Sequence, residues 1–152
     1  MGGKLNKKIL WIEDDYRDLK GLLKPIERRG FEVVSARCYE QAIAELAKLE
    51  NDFCLIVLDL IIPRSLTKII PPKISEEEYE NGSETPDLLV ENGMELLKYI
   101  KQELKLPVII LSIISNNDII HKIEELNVKR IAKIGLLPNK LEEFILNELR
   151  DN

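Results

Sequence analysis

The chain has 152 residues, enough for one domain around one core, and its 45% apolar and 32% charged residues make an ordinary soluble composition. A net charge of −5 argues against direct nucleic-acid binding, no apolar run approaches a membrane span, and MGGKLNKK lacks the apolar stretch of a secretory signal. His121 is the single histidine, which excludes a multi-histidine metal site, and Cys38 and Cys54 form no CxxC and are expected to be buried thiols of a cytoplasmic protein.

In chain order, two apolar patterns alternate. KILWIE, ending at Glu13, is a short continuous apolar run and predicts a strand buried on both faces. Leu19, Leu22, Leu23 and Ile26 follow at helical spacing, with Pro25 among them expected to kink the helix or delay its start. FEVVSA, ending at Ala36, predicts the second strand, and Ala42, Ile43, Leu46 and Leu49 the second helix. CLIVLD, ending at Asp59, predicts the third strand, and Leu96, Leu97, Ile100 and Leu104 the third helix. PVIILS, ending at Ser112, is followed by Ile119, Ile120, Ile123 and Leu126, with His121 among them as a surface or half-buried residue. The weaker VKRIAK ends at Lys133, after which Pro138 and Asn139 open a helix carrying Leu141, Phe144, Ile145 and Leu149.

Strict strand–helix alternation implies parallel strands joined by right-handed crossovers, a doubly wound α/β sheet with helices on both faces in one domain spanning residues 1–152. One interruption stands out, between the third strand and the third helix. Residues 64–91 hold seven acidic residues against three basic ones, including the decapeptide SEEEYENGSE, so they carry most of the chain's net charge. A connection this long in a compact domain is generally functional or disordered.

Ligands of open α/β sheets bind beyond the carboxyl ends of the strands, near a topological switch point. The predicted strands end there in Glu13, Asp14 and Asp15 (first), Asp59 (third), Ser112 (fourth) and Lys133 (fifth). Clustered carboxylates suit a hard divalent cation such as Mg²⁺, and a hydroxyl and an ammonium beside it suit the oxygens of a phosphoryl group. Singly, each residue has a plainer role: Asp15 as a helix cap, Asp59 as a solvated loop residue, Ser112 as a capping serine, Lys133 as a surface charge. The information lies in their order along successive strands.

On these residues the chain resembles the receiver domains of two-component response regulators, over roughly residues 7–147. ILWIEDD is similar to the family's acid motif, LIVLDLIIP to its phosphoacceptor strand with Pro63 four residues after Asp59, NGMELLKYIK to the start of its third helix, and LPVIILS to its fourth strand. The resemblance implies a flavodoxin-like, five-stranded parallel sheet in the order 2-1-3-4-5. It implies that Asp59 takes a phosphoryl group from a sensor histidine kinase or a histidine phosphotransfer protein. By the same resemblance, Asp14, Asp59 and the backbone carbonyl of Ile61 would ligate Mg²⁺, Glu13 would hold a water on the metal, Ser112 would hydrogen-bond the phosphoryl group, and Lys133 would pair with one of its oxygens. Such a domain is a signalling module rather than an enzyme, and its output would be altered binding of a downstream protein through helix 4, strand 5 and helix 5.

The chain departs from the family at four places. Gly93 stands 34 residues after Asp59, far beyond the family spacing, which makes residues 64–91 an insertion; it is either a solvated excursion or a partner-selecting element beside the site. Ile113 stands where the family has a small residue, Ile134 where it has a proline, and Arg130 at or beside the place of an aromatic switch residue. These last three favour an alternative reading, a pseudo-receiver that binds partners without phosphorylation, which the retained acids, Ser112 and Lys133 oppose. A phosphohydrolase with a D-x-D motif after strand one does not match EDD, and no G-x-G-x-x-G follows that strand for a dinucleotide.

Overall fold

A computed structural model of the chain describes residues 7–14, 20–48, 51–66, 86–112 and 116–151. Five strands form one parallel sheet: β1 (Lys8–Ile12), β2 (Glu32–Ala36), β3 (Leu55–Leu58), β4 (Val108–Ser112) and β5 (Lys129–Ala132), in the order β2-β1-β3-β4-β5. Five α-helices accompany them among the described residues: α1 (Lys20–Arg28), α2 (Tyr39–Ala47), α3 (Pro86–Lys98), α4 (Asn117–Glu125) and α5 (Pro138–Asp151). The expected doubly wound α/β architecture and strand order are therefore present.

The strands alternate between two apolar clusters because successive side chains leave opposite faces of a sheet. Ile9 and Trp11 of β1, Leu55 and Val57 of β3 and Ile109 and Leu111 of β4 bury against Leu23 and Ile26 of α1 and Leu141 and Ile145 of α5. Leu10, Ile12, Ile56, Leu58 and Ile110 bury on the other face, against α2, α3 and α4. Two-sided burial is why the central strands read as unbroken apolar runs. The edge strand β5 is mostly exposed, which is why VKRIAK carries a weaker signal.

Several expectations need correction. Each of the runs ending in Glu13, Asp59 and Lys133 outlasts its strand by that residue, so these polar side chains stand just past the ladders. Pro25 lies inside α1, which begins before it, so the proline does not delay the helix. Cys38 is buried, but Cys54 is only half-buried, and burial pushes its thiol above the ordinary range. His121 is exposed, as a surface reading allows.

The largest correction concerns the insertion. Residues 86–91 are helical and form the start of α3, with Pro86 at the first helical position, where its fixed φ and missing N–H are tolerated. The polar residues Asp87 and Glu91 concealed this start, because they are its exposed face while Val90 and Met94 turn inward. Of the rest of the insertion, residues 64–66 are described and residues 67–85 lie outside the described residues. At its other end α3 passes into a π-helical segment, Tyr99–Leu104, which Lys105 closes in the left-handed conformation.

Where α3 crosses the loop after β3, the two backbones nearly touch. A Cβ on Gly93 would stand 2.0 Å from the carbonyl oxygen of Leu60, the residue after Asp59. Asn92, buried beside it, donates from Nδ2 to the carbonyl of Ile62 at 3.1 Å. The Arg64 guanidinium stacks 3.8 Å from the Tyr39 ring centre and pairs with Glu95, while the carbonyls of Pro63 and Arg64 accept from the N–H groups of Tyr39 and Glu40 at the start of α2. The loop that leaves the third strand is thus clamped between α2 and α3.

Gly93→Ala is expected to destabilise the fold by about 1–3 kcal/mol, because rigid backbone must move to admit one methyl group. Gly21→Ala, in α1 with open space around it, should stabilise by about 0.5–1 kcal/mol through helix propensity alone. Urea unfolding of both variants reads the opposite signs.

Candidate functional site

The sheet reverses its winding between β1 and β3, and the crevice beyond their carboxyl ends collects the expected residues. Glu13 directly follows β1, and its N–H donates to the Ala36 carbonyl at 2.9 Å, prolonging the β1–β2 ladder. Asp59 directly follows β3, and its N–H donates to the Ile12 carbonyl at 2.9 Å, prolonging the β3–β1 ladder. The sheet therefore sets both acids side by side. Glu13 is 1% exposed and Asp59 7%, too little for water alone to solvate two carboxylates.

Protein groups supply the missing solvation. Lys133, one residue past β5, pairs through Nζ with Glu13 Oε1 and lies 3.4 Å from Asp59 Oδ2. The Ile61 N–H donates to Asp59 Oδ1 at 2.9 Å, and the Trp11 indole N–H donates to Glu13 Oε2 at 3.3 Å. Burial pushes the Lys133 ammonium below the ordinary lysine range.

Of the residues expected at the site, Glu13, Asp59 and Lys133 meet directly. Asp14 sits on the exposed rim, where its carbonyl accepts from Arg37 Nε at 3.3 Å. Ile61 belongs to the loop that wraps Asp59. Ser112 ends β4 in register with Ala132, the residue before Lys133, which brings its backbone to the same edge; its side chain lies outside the described residues. Asp15 and Ile113 also lie outside them. The role of Trp11 was not legible in advance, because a tryptophan in an apolar run reads as core. Asn92 and Arg64 were missed too; only the Asn-Gly pair at the start of NGMELLKYIK hinted that α3 approaches closely there.

The oxygens in reach are a donor set of the kind that hard divalent cations take. Among the described residues no three acidic, histidine or cysteine side chains are already gathered as a metal site; the ammonium of Lys133 bridges the two buried carboxylates instead. The fit to a divalent cation is therefore one of donor chemistry alone.

No protein-family model matches the chain, and no curated protein matches its sequence. Solved structures do. A CheY-like response regulator receiver domain protein from Methanospirillum hungatei is 21% identical with a TM-score of 0.67, over 95% of this chain and 94% of that one. A two-component response regulator from Clostridium difficile is 20% identical with a TM-score of 0.66, over 95% and 96% of the two chains. The BeF3-activated N-terminal receiver domain of RstA from Klebsiella pneumoniae is 17% identical with a TM-score of 0.66, over 94% and 98%. At these identities the likeness is one of fold, and it extends over nearly the whole chain. Among the described residues no helix is long and apolar enough to cross a membrane.

Lys133→Met should cost about 1–3 kcal/mol at neutral pH, since it leaves two buried carboxylates without their shared cation. Adding Glu13→Gln should recover part of that loss by removing one of the charges. A double-mutant cycle in urea measures the coupling, and additive losses would show that the pair does not interact.

Proposed function

We propose that the chain is a phospho-accepting receiver domain and that Asp59 is its phosphoacceptor. The observation that carries this reading is the convergence of Glu13, Asp59 and Lys133, from three different strand ends, on the crevice where the winding reverses. A structural ion pair needs two partners; a buried acid pair under one movable lysine is suited to exchanging cations and anions.

In this reading Asp59 attacks the phosphorus of a phosphohistidine on a kinase or a phosphotransfer protein. The carboxylate oxygen forms the new P–O bond, the P–N bond breaks, and its electron pair stays on the imidazole nitrogen. Oδ1 is fixed by the Ile61 N–H, so the nucleophile is Oδ2, the oxygen on the Lys133 side. Lys133 then leaves Glu13 and donates to a phosphoryl oxygen, and Ser112 donates to another. Mg²⁺, held by Asp14, Asp59 and the Ile61 carbonyl and reached by Glu13 through a water, would neutralise charge on the phosphoryl oxygens. Transfer onto a carboxylate needs positioning and charge neutralisation, which these groups supply. Signalling follows if the displacement of Ser112 and Lys133 alters the adjoining surface of α4, β5 and α5, where a downstream protein would bind. The domain acts as a phosphorylated signalling module of a two-component system and not as an enzyme turning over a separate substrate.

Incubation with acetyl phosphate and Mg²⁺ should add one phosphoryl group, seen by intact mass, and Asp59→Asn should abolish it. An unmodified wild-type chain, under conditions that label a control receiver, would favour the pseudo-receiver instead. Mg²⁺ alone should raise the melting temperature, since binding only the native state stabilises by about 1–3 kcal/mol at tens to hundreds of Kd. Asp14→Ala should remove most of that increment; an undiminished increment would show that Asp14 is not a ligand.

A further inference from the structure

Trp11 is the only tryptophan of the chain, is the fourth of the five residues of β1, and is 1% exposed. Both neighbours of β1 hold it, through the registers Trp11–Ser35 and Trp11–Val57. Its ring packs in the cluster with Ile9, Leu23, Val57, Leu111 and Ile145. The indole N–H nevertheless points out of this apolar surface, at Glu13 Oε2, 3.3 Å away. Residues two apart on a strand share a face, so a tryptophan at 11 stands in the right place to reach an acid at 13.

The two ends of Glu13 are thus held by unlike groups. Oε1 pairs with Lys133, a long side chain that is partly exposed and already shared with Asp59. Oε2 pairs with a rigid indole that has one donor and no other use for it, and a buried indole N–H without an acceptor is costly. Lys133 can leave; Trp11 cannot.

We propose that Trp11 is a positioning residue of the phosphoryl-transfer site, its indole N–H fixing the Glu13 carboxylate so that Oε1 keeps facing the crevice when Lys133 departs to a phosphoryl group. The proposal rests on the phosphoacceptor reading above. It deepens that reading by making the aim of Glu13 a property of the core rather than of the ligand. Because the same N–H touches the acid whose partner changes, the emission of this lone tryptophan also reports on cation exchange at the site.

The test uses the full chain and Mg²⁺ as the probe. Titration should shift the tryptophan emission saturably, with the half-saturation that calorimetry finds for Mg²⁺ binding. Trp11→Phe, which keeps the ring and deletes the donor, should fold by circular dichroism and weaken the calorimetric Mg²⁺ affinity by about tenfold, as loss of groups that orient a metal's ligands typically does. Labelling by acetyl phosphate should then fall at low Mg²⁺ and recover when Mg²⁺ saturates. Ile9→Val, in the same strand and cluster, should lower stability without moving the Mg²⁺ affinity, which separates positioning from packing. Unchanged Mg²⁺ affinity in Trp11→Phe overturns the proposal and leaves the phosphoacceptor reading standing. If Trp11→Phe fails to fold, the wild-type emission decides: an emission that does not respond while calorimetry records binding overturns it equally. No Mg²⁺ binding by the wild type overturns the metal-dependent reading and the proposal with it.

Discussion

Glu13 and Asp59 are like charges held side by side under little water, and the Lys133 ammonium is what makes that arrangement tolerable. At an effective dielectric of about 20, two charges about 4 Å apart interact with roughly 4 kcal/mol, comparable to a large part of a small domain's stability. The sheet cannot relieve this repulsion by moving the acids, because each backbone N–H is bonded to the neighbouring strand. Relief comes from outside the central strands, by a lysine carried in on the edge strand. The site thus holds two buried acids under a shared ammonium.

The lysine's reach depends on the rest of the fold. Among the described residues β5 pairs with β4 alone and is mostly exposed, so it contributes little to the core. Its importance is positional: Ala132 is in register with Ser112, and the next residue is Lys133. Lys133 is itself largely buried, and that burial weakens its hold on the proton.

The same division of labour appears around the third strand. Asp59 is followed at once by a loop that must stay close to it, since the Ile61 N–H fixes Oδ1. Gly93 lets α3 press on Leu60, Asn92 ties the Ile62 carbonyl, and Arg64 joins Tyr39 and Glu95. These contacts hold residues 60–64 against α2 and α3.

Sequence alone determined the alternation of strands and helices, the parallel sheet, and the strand ends on which polar chemistry falls, because two-sided burial writes continuous apolar runs and the first polar residue marks where each run stops. The resemblance of ILWIEDD, LIVLDLIIP and LPVIILS to receiver motifs supplied the strand order before any contact was visible. The start of α3 was hidden, since Asp87 and Glu91 on an exposed helix face look like a continuation of the acidic insertion. What only the tertiary structure decided were the relations between distant residues. That Lys133 pairs with Glu13 as well as Asp59 and that Gly93 sits against the Leu60 carbonyl are consequences of which strands lie side by side and how closely a helix crosses them. Local patterns encode burial one residue at a time; hydrogen bonds and close approaches between residues 33 to 120 positions apart exist only once the sheet has set their distances.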